Sequence, residues 1–245
     1  MLRIEKISKK VQSFSLSDIS LKIEKGGYFV LLGPSGAGKS MLFDIIGGIL
    51  KSDKGSIFLE NTDITHSAVQ KRQIGIVFQQ DCLFPHMNVF QNIAYSLKVS
   101  GQLHTEIQNT VARIAAEMSI EKLLNRKPAS LSGGERQRVS IARSLAHNPK
   151  CLLFDEPLTF LDVGLRDEIM TLLKKINNNG LTIMHITHDP MEAFALAKNM
   201  AVIENGKIIQ SDIPENIYKN PQSEFLKTFI ASMKNQKQNL PAWIK

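Results

Sequence analysis

A glycine-rich stretch near the N-terminus has the residue types and spacing of a phosphate-binding loop. Residues 33–40 read GPSGAGKS, which fits the pattern G-x-x-x-x-G-K-[ST], between the apolar run 28–32 and a helix-favouring segment. There, backbone amides close on phosphate groups, the Lys39 ammonium adds a point charge, and the Ser40 hydroxyl can ligate magnesium. The loop residues are Gly33, Pro34, Ser35, Gly36, Ala37, Gly38, Lys39 and Ser40. Met41 follows where many such loops carry a second hydroxyl, so we expect one contact to the inner phosphate to be missing.

Two adjacent carboxylates end another apolar run. Residues 151–157 read CLLFDEP, which is typical of a buried strand that stops at Asp155 and Glu156. A carboxylate at a strand end suits a magnesium site beside Ser40, and the next one can orient or deprotonate an attacking water. The alternative is a pair of solvated acids. The phosphate-binding loop favours the magnesium and base roles.

A second glycine pair precedes a charged, helix-favouring run. Residues 131–138 read LSGGERQR, which predicts a helix that begins with bare backbone amides, a natural anion site. The loop at 33–40 already provides a phosphate cradle. The second site therefore needs a ligand of its own.

Composition limits the classes of partner. The chain has 245 residues, 43% of them hydrophobic, and a net charge of +7 that is spread over short runs. Nucleic acid recognition needs a clustered basic stripe with stacking aromatics, and the chain has three Tyr and one Trp, so we predict no nucleic acid partner. Cys82 and Cys151 form no CxxC motif, which predicts neither a zinc site nor a disulfide framework.

The pattern of apolar residues predicts an α/β fold. Alternation at 2–7 and 14–23 indicates antiparallel strands, whereas apolar runs with helical stretches between several of them indicate a mostly parallel sheet. Those runs lie at 28–32, 74–78, 151–154, 181–186 and 200–203. No apolar run approaches the roughly 18 residues of a membrane span, so we expect membrane contact only through a partner.

The chain reads as one domain over 1–245. Residues 88–125 carry helix-period segments without a strand signal, which predicts a helical subdomain inserted into the α/β core. The core then comprises 1–87 and 126–232 with its antiparallel β part, and 233–245 forms a polar tail.

GPSGAGKS, LSGGE and LLFDEP, in this order and spacing, resemble the nucleotide-binding subunit of ABC transporters. The resemblance covers about 2–232, and LSGGE is far more specific than a phosphate loop alone. It implies a P-loop NTPase core and an ATPase that uses ATP and Mg²⁺.

The resemblance carries further site residues. Gln79 in IVFQQ matches the glutamine that senses magnesium and the γ-phosphate, and His188 in ITHDP matches the switch histidine at the γ-phosphate. With Lys39 and Glu156 they form the implied catalytic set, and Ser40, Gln79 and Asp155 are the implied metal ligands. His185, by strand alternation, is predicted to be a core residue.

The resemblance carries two more residues, Asp162 and Phe14. Asp162 in LTFLD matches the aspartate of an inter-subunit loop, although the family more often has a small residue where Phe160 stands. The family also stacks adenine on an N-terminal aromatic, for which Phe14 is the nearest candidate. Phe14 fits equally as strand core.

The resemblance assigns a ligand to the second glycine pair. In this family two subunits enclose two ATP molecules, so Ser132, Gly133, Gly134 and Glu135 of one chain would complete the site whose phosphate loop belongs to a second copy.

Three kinds of ABC protein compete. FPHMNVFQNI, within residues 80–95, resembles the segment that receives a membrane permease subunit, and RKPASLSGGERQR resembles the importer form. Some of the apolar residues Leu83, Phe84, Met87 and Phe90 are expected to line that docking surface. The importer reading implies ATP-driven substrate uptake, an extracytoplasmic substrate-binding protein and a peripheral position on the cytoplasmic face of the membrane.

The alternative is a soluble assembly ATPase of the iron–sulfur cluster type. Chromosome-maintenance ATPases need a long coiled coil between the two glycine motifs, and the gap of about ninety residues here excludes one. Within importers, GKSM and THDPMEA most resemble molybdate, tungstate and sulfate transporter ATPases. Many of those carry a C-terminal regulatory β domain, for which this sequence is expected to be too short.

Overall fold

Strands and helices alternate along most of the chain. A computed structural model describes residues 1–236. Within that range the strands are β1 (Leu2–Val11), β2 (Phe14–Ile23), β3 (Tyr28–Leu32), β4 (Lys54–Leu59), β5 (Thr62–Asp63), β6 (Ile74–Val77), β7 (Cys151–Asp155), β8 (Thr182–Thr187), β9 (Asn199–Glu204) and β10 (Lys207–Asp212). The helices are α1 (Lys39–Gly47), α2 (Val89–Val99), α3 (His104–Met118), α4 (Gly133–Leu145), α5 (Val163–Asn178), α6 (Pro190–Leu196), α7 (Pro214–Lys219) and α8 (Glu224–Gln236), and 3-10 turns lie at Val69–Lys71, Glu121–Leu123 and Pro128–Ser130. The predicted polar tail lies, from residue 237 onward, outside the described residues.

The chain divides into two compact units. The first unit comprises Met1–Arg72 together with the residues from Asn177 onward, and the second unit is Gln73–Ile176. Among the helices of residues 1–236, none is long and apolar enough to cross a membrane.

The first unit contains an antiparallel sheet in the order β2-β1-β4-β5. β1 and β2 form a hairpin whose register pairs Leu2 with Ile23 and Val11 with Phe14. Along β1, Leu2, Ile4 and Ile7 are buried, because an antiparallel sheet with one solvated face buries its apolar residues on the other. The predicted N-terminal antiparallel sheet is confirmed.

The first unit also contains four strands in the order β10-β9-β3-β8, of which β9, β3 and β8 are parallel, whereas β10 pairs antiparallel with β9. β3 pairs in parallel with β8 and β9, and every residue of β3 and β8 is buried. A strand covered on both faces reads as a continuous apolar run, which explains YFVLL. The predicted α/β fold with a largely parallel sheet is therefore confirmed.

Helix α1 is anchored at its C-terminal end by Arg72. This side chain is buried, and its Nη1 donates to the carbonyls of Ile45 and Ile46 at 2.9 and 2.8 Å. A cation that meets the last carbonyls of a helix satisfies them and complements the helix dipole. Burial lowers the pKa of the Arg72 guanidinium from its ordinary value. The helix that begins at the phosphate loop is thus fixed at its opposite end.

The second unit combines a parallel strand pair with a helical layer. β6 pairs with β7, α4 packs on β6, and α2, α3 and α4 pack on one another. Buried Asn92 on α2 organises the preceding loop, because its amide accepts from Phe84 N at 2.8 Å and donates to the carbonyls of Phe84, Met87 and Asn88. Residues 88–125 contain α2, α3 and the 3-10 turn Glu121–Leu123, with no strand among them.

Candidate functional site

The loop at 33–40 joins β3 to α1 and allows very close backbone approach. A Cβ on Gly33 would lie 2.2 Å from the Ile203 carbonyl oxygen, so no side chain fits there. Gly38 has φ +101° and stands at the N-cap of α1 without a side-chain cap. Because the cap position carries no side chain, the first amides of α1 are left to a ligand, as an anion site requires.

Lys39 is buried within this loop. Its Nζ donates to the carbonyl oxygens of Gly33 and Pro34 at 2.8 and 2.9 Å, and the residue is 5% exposed. A buried ammonium is suited to a negatively charged ligand, since burial makes charge pairing worth more. Ser40 is exposed on the first turn of α1 and Met41 is half-buried after it. The loop therefore has the charge and the amides of a phosphate cradle.

Phe14 lies beside the phosphate loop. A Cβ on Gly38 would come within 2.9 Å of the Phe14 ring, and Phe14 is half-buried at the first position of β2. The position leaves part of the ring accessible at the edge of the loop. It is compatible with the adenine-stacking role and also with packing.

The turn after β8 carries His188 and is pinned by its neighbours. The Thr187 hydroxyl donates to Glu192 Oε2 at 2.7 Å and accepts from the Asp189 amide at 3.0 Å. His188, between them, is exposed, whereas His185 is fully buried against the Tyr28 hydroxyl at 3.0 Å, as strand alternation predicts. Burial, and then the Glu192 charge, raise the pKa of Tyr28 well above its ordinary value. The buried network holds a turn that presents His188 to solvent.

Glu156 and Gln79 meet in the second unit. Gln79 Nε2 donates to Glu156 Oε2 at 3.3 Å, and the Thr159 hydroxyl donates to the same oxygen at 3.2 Å. Asp155 is half-buried at the last position of β7. A side-chain amide that donates through nitrogen can still use its oxygen as a metal ligand. The pair therefore combines a carboxylate that can take a proton with an amide that can bind Mg²⁺.

A cleft of about 330 Å³ in the second unit collects several of the predicted residues. It is lined by Gln79, Gln80, Asp81, Gly133, Arg136, Gln137, Glu156, Pro157, Phe160 and Leu161. Gln79, Glu156 and Gly133 thus share one surface, although they are far apart in sequence. Gln137, 6% exposed, was not predicted as a site residue. No separate motif marks it, because it lies inside the helical run that follows the glycine pair.

The helix start at 131–138 has fewer free backbone amides than the sequence predicts. Ser132 is the N-cap of α4: its Oγ accepts from the Glu135 amide at 3.2 Å, and Glu135 Oε2 accepts from the Ser132 amide at 2.7 Å. The bare-amide interpretation was wrong for these two amides, because a capping box satisfies them. A Cβ on Gly134 would meet Leu165 Cδ2 at 2.9 Å, so this glycine serves packing as well.

Asp162 is a helix cap in the isolated chain. Its Oδ1 accepts from the Leu165 amide at 3.0 Å at the start of α5. Phe160 and Val163 beside it are 75% and 79% exposed. The loop predicted to face another subunit therefore exposes two apolar side chains.

The segment 80–95 has a mixed surface. Phe84 packs against Tyr95 with ring centroids 4.7 Å apart, and the Arg143 guanidinium lies 5.4 Å from the Phe84 centroid. Phe84, Met87 and Phe90 are half-buried, but Leu83 is only 8% exposed. Leu83 is therefore a core residue, which leaves Phe84, Met87 and Phe90 as the candidates for a docking surface.

Among the residues that the structure describes, no group of three or more His, Cys, Asp or Glu forms a site for a metal ion. Magnesium would depend on hydroxyl, amide and single carboxylate oxygens together with the phosphates of a nucleotide. These are the oxygen ligands that magnesium prefers.

Comparison with known proteins gives consistent matches. The profile of the family described as "ABC transporter" matches residues 16–159. The molybdate/tungstate import ATP-binding protein of Pyrococcus abyssi is 42% identical over 231 residues, which cover 94% of this chain and 67% of that protein. The spermidine/putrescine import ATP-binding protein of Protochlamydia amoebophila is 41% identical over 228 residues, which cover 92% of this chain and 61% of that protein. The chain thus spans roughly two thirds of the length of these relatives.

A solved structure adds the fold comparison. A dimeric ATP-binding cassette in a post-hydrolysis state, bound to ADP and Pi, superposes with a TM-score of 0.77 at 30% identity. The match covers 87% of this chain and 99% of that one.

Proposed function

Because the chain belongs to the ABC transporter family, we propose that it is the ATP-binding subunit of an importer and hydrolyses ATP between two copies of itself. The observation that carries the ATPase assignment is the Glu156 carboxylate at the end of β7, hydrogen-bonded to the Gln79 amide. The import names of the relatives favour an importer over an assembly ATPase.

The phosphate loop binds the triphosphate. The amides of residues 33–40 close on its oxygens, and Lys39 moves from the carbonyls of Gly33 and Pro34 to the terminal phosphates. The missing hydroxyl at Met41 removes one contact to the inner phosphate. On resemblance, Phe14 stacks on the adenine.

We assign Ser40, Gln79 and Asp155 to magnesium on the same resemblance. Magnesium, when bound, neutralises charge on the phosphate oxygens. Glu156 accepts the proton of the attacking water, and His188, presented by its pinned turn, contacts the γ-phosphate.

The signature residues Ser132, Gly133, Gly134 and Glu135 act on the nucleotide of a second copy. The capping box fixes the start of α4, so that Gly133, which lines the cleft, has a defined position. Asp162 and the exposed Phe160 beside it contact the second copy as well.

A mixed-dimer experiment tests the shared site. One chain carries Lys39→Ala and the other carries Ser132→Arg. If each site is built from two chains, the mixed dimer has one site broken twice and one site intact, so ATP occlusion reappears at up to one molecule per dimer. Occlusion no higher than in either variant alone, with mixed dimers shown to form, refutes the shared site.

Residues 80–95 dock on a membrane permease subunit. Phe84, Tyr95 and Arg143 form a surface of aromatic and cationic groups that suits a short amphipathic helix in a groove. The chain then acts peripherally on the cytoplasmic face of the membrane, with an extracytoplasmic binding protein that delivers the substrate.

For the substrate, we propose an oxyanion such as molybdate, tungstate or sulfate. The relative named for molybdate and tungstate supports this class, and the relative named for spermidine and putrescine provides the competing one. Uptake assays with labelled molybdate and labelled spermidine, using the chain with its co-purified permease, separate them. Uptake of spermidine alone refutes the oxyanion.

A further inference from the structure

Thr159 lies in the loop after β7, and no sequence pattern pointed to it. Its Oγ1 donates to Glu156 Oε2 at 3.2 Å, and its backbone amide donates to the Glu156 carbonyl at 3.3 Å. The residue is half-buried, and its β-branched side chain restricts χ1. The hydroxyl therefore has few directions available, and the observed one meets the carboxylate.

Glu156 is held from two sides. Its backbone has φ +47°, a left-handed conformation that is sparsely populated by residues other than glycine. Its Oε2 accepts from Thr159, three residues away, and from Gln79, which is 77 residues away in sequence. One donor is local and the other comes from a different element.

We propose that Thr159 is a positioning residue for Glu156, whose hydroxyl keeps the carboxylate aligned to receive the proton of the attacking water. This inference rests on the proposed ATPase function. Gln79 also serves magnesium in that function, so its bond to Glu156 changes with the nucleotide state. The Thr159 bond comes from the same turn as Glu156 and can persist through the cycle.

Three variants of the full chain test the role. Thr159→Val removes the hydroxyl and keeps the shape, whereas Thr159→Ser keeps the hydroxyl. Thr171→Val is the matched control, because the exposed Thr171 hydroxyl donates only along its own helix, to the Asp167 carbonyl at 2.9 Å. For each variant, kcat and KM for ATP hydrolysis, the Kd for ATP and the melting temperature are measured.

Thr159→Val should lower kcat about tenfold, as expected for the loss of one hydrogen bond to a charged group, with the Kd for ATP unchanged. Thr159→Ser should restore kcat, and Thr171→Val should behave as wild type. In a Glu156→Gln background, Thr159→Val should cause no further fall in single-turnover hydrolysis. If Thr159 had a merely structural role, Thr159→Val would lower the hydrolysis rate by the same factor in the wild-type and Glu156→Gln backgrounds.

The outcomes separate the two levels of inference. If the wild-type chain hydrolyses ATP and Thr159→Val has the same kcat, the proposed role of Thr159 is overturned. The proposed ATPase function is not affected by that result. An equal fall in the Glu156→Gln background, or failure of Thr159→Ser to restore kcat, also overturns it. A wild-type chain, shown to dimerise, that does not hydrolyse ATP overturns both proposals.

Discussion

Glu156→Gln separates nucleotide binding from hydrolysis more cleanly than other changes at this site. Glutamine has the shape of glutamate, and its amide oxygen can accept the hydrogen bonds that Thr159 and Gln79 now donate to Oε2. What it cannot do is take a proton from water at neutral pH. The substitution therefore removes the base and keeps the packing.

The expected loss of stability in Glu156→Gln is much smaller than the expected loss of hydrolysis rate. Replacing two charge-assisted hydrogen bonds by neutral ones costs about 1 kcal/mol each, a fraction of the stability of a folded domain. Loss of a general base lowers the rate by roughly 10² to 10⁴. We therefore expect a melting temperature within a few degrees of wild type, ATP binding that is retained, and turnover that is lost.

The assay measures equilibrium ATP binding, dimer formation with ATP, and phosphate release by the purified chain. Glu168→Gln is the control. Glu168 is an exposed residue of α5 that forms a salt bridge of 2.9 Å with Arg138, and it does not line the cleft. It should hydrolyse ATP as wild type does. Near wild-type phosphate release by Glu156→Gln would remove Glu156 from the base role.

Other substitutions test the phosphate loop and the docking surface. Lys39→Ala should weaken ATP binding by at least about tenfold, since a charged hydrogen-bond donor to the phosphates is lost, and an unchanged Kd would exclude the phosphate contact. Gly33→Ala should lower the free energy of unfolding by about 1–3 kcal/mol, because the new Cβ would lie 2.2 Å from the Ile203 carbonyl oxygen, and thermal denaturation measures this loss. Phe84→Glu should abolish transport while ATP hydrolysis by the isolated chain persists. Val99→Glu, at a residue that is 72% exposed, is the control and should leave transport unchanged. Transport that survives Phe84→Glu would contradict the docking assignment.

Much of the architecture could be predicted from local patterns. Alternation gave the β1–β2 hairpin, and continuous apolar runs gave β3, β7 and β8, because the number of covered faces determines the periodicity of a strand. The phosphate loop was predictable for the same reason, since its glycines, lysine and hydroxyl act within eight adjacent residues. The S-x-x-E spacing at Ser132 and Glu135 is also the pattern of a capping box, which predicts a capped rather than a bare helix start.

Other features depend on residues that are distant in the chain. The Gln79–Glu156 hydrogen bond joins positions 77 apart, and the cleft that they share with Gly133 exists only when β6, β7 and α4 are packed. Leu83 and Phe84 are adjacent apolar residues, yet one is core and the other half-exposed, because Asn92 fixes the backbone of that loop. A local pattern reports which residues are apolar or charged. It does not report which distant group will satisfy a given donor or cover a given side chain, since that follows from the packing of whole elements.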